Sequence, residues 1–380
     1  MKKLLCMLLA ALMVLTMASF AMAEEAASYK IAVMTGTTSQ GEEEPTTAAK
    51  LVETYGAGKV LYDTYPDNFS SEVETTISKL IAFASDPDVK AIIFVQGVQG
   101  AVSAFTQIKD SLGRDDILLI AGVPAEDPAD ISAAADIVLA VDEIGCGYQV
   151  ADKAAEWGCD VIVHYSFARH LSYETIVAKR DAMKMTAEGY GIEFVERDCP
   201  DPTGDAGMSG AQAAVLEDVP KVMQEYAGKK VCFYCTNCGI QVALQQAVLA
   251  AGDDAYYALP CCPSPFHGYQ EAFGLDATYG DIEGAITHLA NFLNESGAAG
   301  RFSTWAIPVN MSMINASYEY ACAYAEGKIE KVDEAFLTEC FTKAAGSEAV
   351  LGKYTNATGE ELANYYLIQF TPIDFNDYVG

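Results

Sequence analysis

The sequence predicts an α/β fold of two lobes, each built on a parallel sheet with helices on both faces. Short apolar runs rich in β-branched residues alternate with longer stretches whose apolar residues recur every three or four positions. Gly, Pro or Asp stands at the changeovers, and this alternation is typical of parallel sheets covered by helices. The rhythm runs through the chain twice, and 380 residues suffice for two domains of about 100–200 residues each.

Nine strands are predicted in the two repeated units, five in the first and four in the second. The first unit has strands at 30–34, 59–62, 91–95, 117–121 and 137–141, with helices at 71–85 and 102–112. The second has strands at 161–165, 192–196, 230–235 and 255–260, with helices at 148–157, 173–188, 211–226 and 240–251. After these units, the pattern predicts helices at 282–293 and 311–327, strands at 302–309 and 365–370, and a poorly constrained tail at 372–380.

The order of these elements predicts where the chain passes between the lobes. We assign residues 29–145 and about 280–327 to the N-terminal lobe. The C-terminal lobe and tail then take residues 146–279 and about 328–380.

The first 23 residues have the pattern of a signal peptide. A basic start at Lys2 and Lys3 precedes an apolar run from Leu4 to Phe20, and a small-x-small sequence ends at Ala23. We expect cleavage near Ala23 and an exported protein, periplasmic or extracellular. No cysteine stands near the cleavage site, so the sequence predicts a soluble protein without a lipid anchor.

The chain is strongly acidic, with a formal net charge of −30. This charge excludes nucleic acid and anionic membranes as expected partners, and it disfavours a ligand with several negative charges. Ten of the eleven cysteines follow the signal peptide. In an exported protein they can form disulfides or remain thiols, and the sequence does not choose between these states.

Residues 141–196 resemble the type 1 periplasmic-binding-protein superfamily, which includes the sensor domains of sugar repressors. The resemblance lies in the run Gly158-Cys159-Asp160-Val161-Ile162 and in a following helix that ends at Gly189-Tyr190-Gly191-Ile192. It implies two Rossmann-like lobes joined by a multi-strand hinge. Asn237 and Cys238 stand where that superfamily often places a ligand-binding Asp. The run Cys262-Pro263-Ser264-Pro265-Phe266-His267-Gly268-Tyr269 also resembles a sequence in an uncharacterised family of exported bacterial binding-protein-like proteins.

The carboxyl ends of the predicted strands give the candidate ligand site, since ligands of open α/β sheets bind outside these ends. Hydroxyls, amides and aromatic rings predominate there, which suits a neutral or zwitterionic ligand such as a nucleoside, sugar or amino acid. The candidates in the first lobe are Thr35, Gly36, Thr37, Tyr65, Gln96, Gly97, Gln99, Pro124 and Glu126. Those in the second lobe are Tyr165, Ser166, Cys199, Thr236, Asn237, Cys238, Cys261, Cys262 and His267.

Two groups of cysteines follow neighbouring strands of the second lobe. Cys235 ends one predicted strand and Cys238 follows it. Cys261 and Cys262 follow the next strand, and His267 stands five residues after Cys262. Structural or disulfide roles, direct ligand contact, and metal or redox chemistry all remain open for these thiols. Cys232 is predicted in the core, because its side chain and that of Cys235 point to opposite faces of a strand.

The sequence therefore predicts an extracytoplasmic solute-binding protein that serves an ABC importer or a sensor. Its expected partners are a small-molecule ligand and an importer permease, and we expect a monomer without a cofactor. No Gly-x-Ser-x-Gly turn or pair of catalytic carboxylates indicates an enzyme. The alternative is an exported thiol- or metal-dependent enzyme that uses Cys235, Cys238, Cys261, Cys262 and His267.

Overall fold

The computed structural model describes residues 29–39, 42–275, 281–356 and 359–380. The predicted signal peptide and its cleavage site lie outside these residues. Across the described ranges, no helix is both long and apolar enough to cross a membrane. The described chain forms an α/β structure with one sheet of seven strands, one of four and one of two. Parallel strands flanked by helices confirm the predicted fold class.

The first lobe is built on the seven-stranded sheet, whose order is β11-β12-β5-β4-β3-β1-β2. All neighbours are parallel except β11 and β12, which form an antiparallel pair. The central strands are apolar on both faces because helices cover both sides. The strands are β1 Lys30–Thr35, β2 Val60–Thr64, β3 Val89–Val95, β4 Leu118–Gly122, β5 Ile137–Val141, β11 Ala349–Thr355 and β12 Glu361–Phe370.

Six helices pack on the two faces of this sheet. Those on one face bury residues such as Ile77 and Phe105, and those on the other bury Leu51, Met313 and Phe341. The helices are α1 Glu43–Tyr55, α2 Val73–Ala84, α3 Ala101–Asp110, α4 Pro128–Ala134, α11 Val309–Ala325 and α12 Glu334–Ala345.

The second lobe is built on a parallel sheet of four strands in the order β7-β6-β8-β9. Its strands are β6 Val161–Ser166, β7 Glu193–Asp198, β8 Val231–Cys235 and β9 Ala255–Tyr257. The helices are α5 Glu143–Glu156, α6 Glu174–Gly189, α7 Gly207–Glu225, α8 Cys238–Ala251, α9 Tyr269–Phe273 and α10 Ile282–Glu295. Cys232 and Cys235 lie in the cores on opposite faces of β8, which confirms the predicted alternation.

Three segments cross between the lobes. The first links β5 to α5, the second leads from the core residue Phe302 to α11, and the third follows Phe370. After the third crossing, β13 Ile373–Asp374 pairs with β10 Ser303–Thr304, and Phe375 is buried in the second lobe.

These crossings correct the predicted lobe boundaries. Helix α10 belongs to the second lobe, because Ile286 and Leu289 pack among its core residues. Strands β11 and β12 belong to the first lobe, because β12 forms a parallel ladder with β5. The strand predicted at 302–309 is confined to Ser303–Thr304, and the predicted loose tail contains the buried Phe375.

Candidate functional site

Two strand ends of the first sheet have unusual backbone geometry. Gln96 follows β3 with φ of 56°, and Val123 follows β4 with φ of 47°. Non-glycine residues seldom adopt positive φ, and such conformations gather at functional sites where the surrounding structure holds them. The β-branched Val123 is the more strained of the two. Both residues stand at the edge of the sheet where the sequence predicts ligand contact.

A buried carboxylate organises the polar side chains at this edge. Glu44 is 4% exposed and accepts hydrogen bonds from Gln96 Nε2 at 2.7 Å and from Asn310 Nδ2 at 2.6 Å. The Tyr65 hydroxyl donates to Gln96 Oε1 at 3.1 Å. Burial raises the pKa of Tyr65 to about 12, so its hydroxyl remains a donor at neutral pH. The strained Gln96 is therefore fixed at both ends of its side-chain amide.

The loop after β1 presents hydroxyl groups beside this network. Thr35 is buried, and its hydroxyl donates to the carbonyl of Gly36 at 2.8 Å. Thr37 is half-buried, and both its hydroxyl and that of Ser39 donate to a carboxylate oxygen of Asp67. The side of the loop around Thr37 is thus a polar surface.

Other predicted contact residues have structural roles in the described chain. The carboxylate of Glu126 accepts the backbone N–H groups of Gly100 and Val102 at 3.1 and 2.8 Å, and so caps α3. Gly97 and Pro124 lie in two neighbouring turns. The backbone N–H of Ala125 donates to the carbonyl of Gly97 and so joins these turns. Gln99 is exposed.

Two candidates of the second lobe are also corrected. The side chain of Tyr165 is 1% exposed, because it lies in the core on the same face of β6 as Val163. Its hydroxyl donates to Asp218 at 2.9 Å. Cys199 is buried with its Sγ against the carbonyl of Ser166, and burial raises its pKa to about 12. Neither side chain faces the cleft.

A chain of hydrogen bonds links the ends of β6 and β8. Ser166 and Thr236 pair through their hydroxyls at 2.8 Å. Thr236 Oγ1 lies 3.1 Å from His170 Nδ1, and Asn237 Nδ2 lies 3.1 Å from His170 Nε2. The amide of Asn237 donates to Nε2, so the proton of neutral His170 is on Nδ1. Burial, with a smaller contribution from nearby Arg169, lowers the pKa of His170 and keeps the ring neutral.

His170 is a site residue that the sequence pattern did not indicate. It lies outside any strand end, in a short 3-10 helix from His170 to Ser172, four residues after β6. The available signal was its place in the loop that follows the predicted strand at 161–165, where its ring packs on that of Phe167. The two ring centroids are 4.3 Å apart.

The thiols predicted to converge do so at the N-terminus of α8. Cys238 is the first residue of that helix, and its Sγ lies 3.5 Å from Sγ of Cys261. The ligand atoms of Cys238, Cys262 and His267 all lie within 4.8 Å of one another. Hydrogen bonds with Cys261, Cys262 and His267 hold the pKa of Cys238 far below its ordinary range. The same two sulfurs, Cys238 and Cys262, raise the pKa of His267 to about 10.

Two buried glutamines of α8 hold the loop that carries these groups. Gln241 accepts the N–H of Cys261 at 2.5 Å and donates to the carbonyl of His267 at 2.7 Å, and Gln245 donates to that carbonyl at 3.2 Å. Gly268 follows with φ of 79°, and a Cβ there would lie 2.7 and 2.8 Å from the two amides. This close approach requires glycine.

The loop of residues 261–268 also contacts the first lobe. Ser264 is buried, and its hydroxyl donates to Glu43 Oε1 at 2.8 Å. Burial raises the pKa of Glu43 to about 7, so this carboxyl titrates near neutrality. A cavity of about 400 Å³ begins one helical turn further along α1, where Thr47 and Lys50 face Asp281 of the second lobe. Polar groups of both lobes therefore meet around Glu43.

The chain matches known proteins in sequence and in fold. Residues 29–303 match the model of a family described as "Protein of unknown function (DUF3798)". An uncharacterized protein of Treponema pallidum (strain Nichols) is 37% identical over 182 residues, which are 46% of this chain and 81% of that protein. A second protein of that organism is 35% identical over 178 residues, 46% of this chain and 79% of its own.

Two solved structures share the fold. A putative transcriptional regulator from Clostridium difficile 630 has a TM-score of 0.82 at 18% identity, covering 91% of this chain and 99% of its own. A sugar ABC transporter from Actinomyces odontolyticus ATCC 17982 has a TM-score of 0.51 at 10% identity, covering 80% and 86%. The fold is that of the type 1 periplasmic binding proteins, as the sequence predicts. By the match of its residues 29–303, the chain belongs to the DUF3798 family.

Proposed function

We propose that the chain is an exported solute-binding protein that captures a small polar molecule between its lobes for an ABC importer or a sensor. The observation that carries the proposal is the meeting of buried polar groups from both lobes at the contact between Ser264 and Glu43. A cavity of about 400 Å³ next to it, lined by both lobes, is of the size that small-molecule sites have. Closure of two lobes around a ligand is a common motion of such folds.

The polar groups near the strand ends of the two lobes favour a neutral or zwitterionic ligand. Thr37, Gln96 and Asn237 offer hydroxyl and amide groups, and His170 offers a neutral ring. The net charge of −30 disfavours ligands with several negative charges. Nucleosides, sugars and amino acids fit this description, and an amide at position 237 replaces the acid expected for sugars.

A thermal-shift screen of these three ligand classes tests the proposal. We expect members of one class to raise the melting temperature, since a ligand at 100 times its dissociation constant stabilises the folded state by about 2.7 kcal/mol. Small-angle scattering should show a smaller radius of gyration with that ligand, because the lobes close. If no compound of the three classes stabilises the chain at millimolar concentration, the proposal fails.

Thr37→Val locates the ligand in the cleft. The substitution keeps the shape of a half-buried side chain but removes the hydroxyl that donates to Asp67, so it should weaken the ligand-induced shift, measured from the variant's own ligand-free melting temperature. Thr338→Val, at the hydroxyl that bonds within α12, is the matched control and should bind as the wild type does. Equal shifts in both variants would place the ligand elsewhere.

The low pKa of Cys238 favours a second candidate function, an exported thiol- or metal-dependent enzyme. A thiolate at neutral pH is a nucleophile, whereas burial raises the pKa of the half-buried Cys322. In metal-free, reduced protein at pH 6, iodoacetamide should modify Cys238 well before Cys322, as read by peptide mass spectrometry over time. Modification of Cys322 first, or of both at one rate, would remove this candidate.

A further inference from the structure

Three potential metal donors converge at the N-terminus of α8, and a fourth lies beside one of them. Cys238 begins the helix, Cys261 and Cys262 follow β9, and His267 ends the same loop. The ligand atoms of Cys238, Cys262 and His267 lie within 4.8 Å of one another, and Cys261 Sγ lies 3.5 Å from Cys238 Sγ. All four residues are half-buried, so an ion can enter from the cleft.

These separations fit a tetrahedral zinc ion. Zinc–sulfur bonds of about 2.3 Å at tetrahedral angles place two sulfur ligands about 3.8 Å apart, close to the separation of Cys238 and Cys261. The ligand atoms of Cys238, Cys262 and His267, within 4.8 Å of one another, are near enough to share one ion. Sulfur with one imidazole is a donor set that selects zinc among the divalent ions common in cells.

The supporting residues hold the donors in place without a metal. Gln241 fixes the N–H of Cys261 and, together with Gln245, the carbonyl of His267. The backbone N–H groups that begin α8 place a positive partial charge beside Cys238, which favours a thiolate at that position. The site is therefore largely formed before an ion binds.

We propose that Cys238, Cys262 and His267, with Cys261 as the fourth donor, bind one zinc ion that fixes the loop of residues 261–268 to the N-terminus of α8. The loop carries Ser264, whose hydroxyl bonds to Glu43, so the ion stabilises the contact between the lobes. Zinc binding is independent of the organic ligand, and its test needs no knowledge of that ligand.

Zinc titration of the full chain tests the site. The protein is reduced, stripped of metal with a chelator and titrated in competition with a chromogenic zinc indicator. We expect one zinc per chain. Cys262→Ser and His267→Ala should each weaken binding at least tenfold, as should Cys261→Ser, because each removes a direct ligand. Cys322→Ser, at a half-buried thiol on α11, should bind zinc as the wild type does.

Cobalt provides a readout that does not depend on the folding of any variant. Co²⁺ added to the wild type should give sulfur-to-cobalt charge-transfer bands and the intense visible bands of a tetrahedral ion, and zinc should abolish both. Absence of stoichiometric zinc, an octahedral cobalt spectrum, or equal loss of affinity in Cys262→Ser and Cys322→Ser would overturn the proposal. Unchanged affinity in Cys261→Ser would overturn its assignment as the fourth donor.

Discussion

Gly147→Ala should lower the free energy of unfolding by about 2–3 kcal/mol, the range of a core overpacking of this kind. Gly147 lies on α5, where this helix packs against α6. A Cβ there would clash with the carbonyl oxygen of Lys179 and lie 3.2 Å from the backbone N of Met183. Because these are backbone atoms, the two helices must separate, and the overpacking exceeds the gain in helix propensity of about 1 kcal/mol.

Chemical denaturation of Gly147→Ala and Gly189→Ala measures this effect. Gly189 ends α6, and a Cβ there meets no atom within 4 Å. The control should be neutral or slightly more stable than the wild type. A Gly147→Ala variant as stable as this control would show that α5 and α6 separate without cost.

Glu43→Gln should change the pH dependence of stability. Burial raises the pKa of Glu43 from 4.5 to about 7, so its protonated form is favoured in the folded state. The contribution of protonated Glu43 to the free energy of unfolding is complete below about pH 4.5 and is lost as the pH rises through about 7. A shift of this size corresponds to about 3 kcal/mol. Glutamine cannot ionise, so this loss should be absent in the variant.

Unfolding of metal-free, reduced protein between pH 5 and 8 measures the difference. The wild type should lose up to about 3 kcal/mol relative to Glu43→Gln over this range, since the native state binds more protons there. Glu42→Gln changes the neighbouring exposed carboxyl and should follow the wild type. Parallel pH profiles for the wild type and Glu43→Gln would contradict the assigned pKa.

The central strands of both sheets, such as β3 and β8, could be predicted because each is a short apolar run buried between helices. The pairing of β12 could not be predicted, since its residues indicate a strand but do not specify β5 as its partner. Helix α10 shows the same limit. Its apolar face with Ile286 and Leu289 predicts a packed helix, and only the three-dimensional structure shows that this face belongs to the second lobe.

The candidate site was predicted in part. Cys238, Cys261, Cys262 and His267 follow adjacent parallel strands, and this adjacency alone brings them together. Tyr165 was wrongly placed, because the alternation along β6 turns it to the core. Ligand contact by the residues that do face the cleft stays a prediction.

Glu43 was missed for a different reason. It lies in the acidic run 42–44, which has the pattern of a solvated helix start. Its burial depends on Ser264, 221 residues later in the chain. No local pattern reports a contact of this kind.

The three crossings limit how the lobes can move. The backbone N–H of Asp142 donates to the carbonyl of Ile368, and β10 pairs with β13, so backbone hydrogen bonds join the third crossing to each of the other two. Any movement of one lobe relative to the other must therefore act on all three linked crossings. If the lobes close on a ligand as proposed, a substitution in any crossing shifts the balance of open and closed forms, and with it the ligand affinity, without touching the ligand.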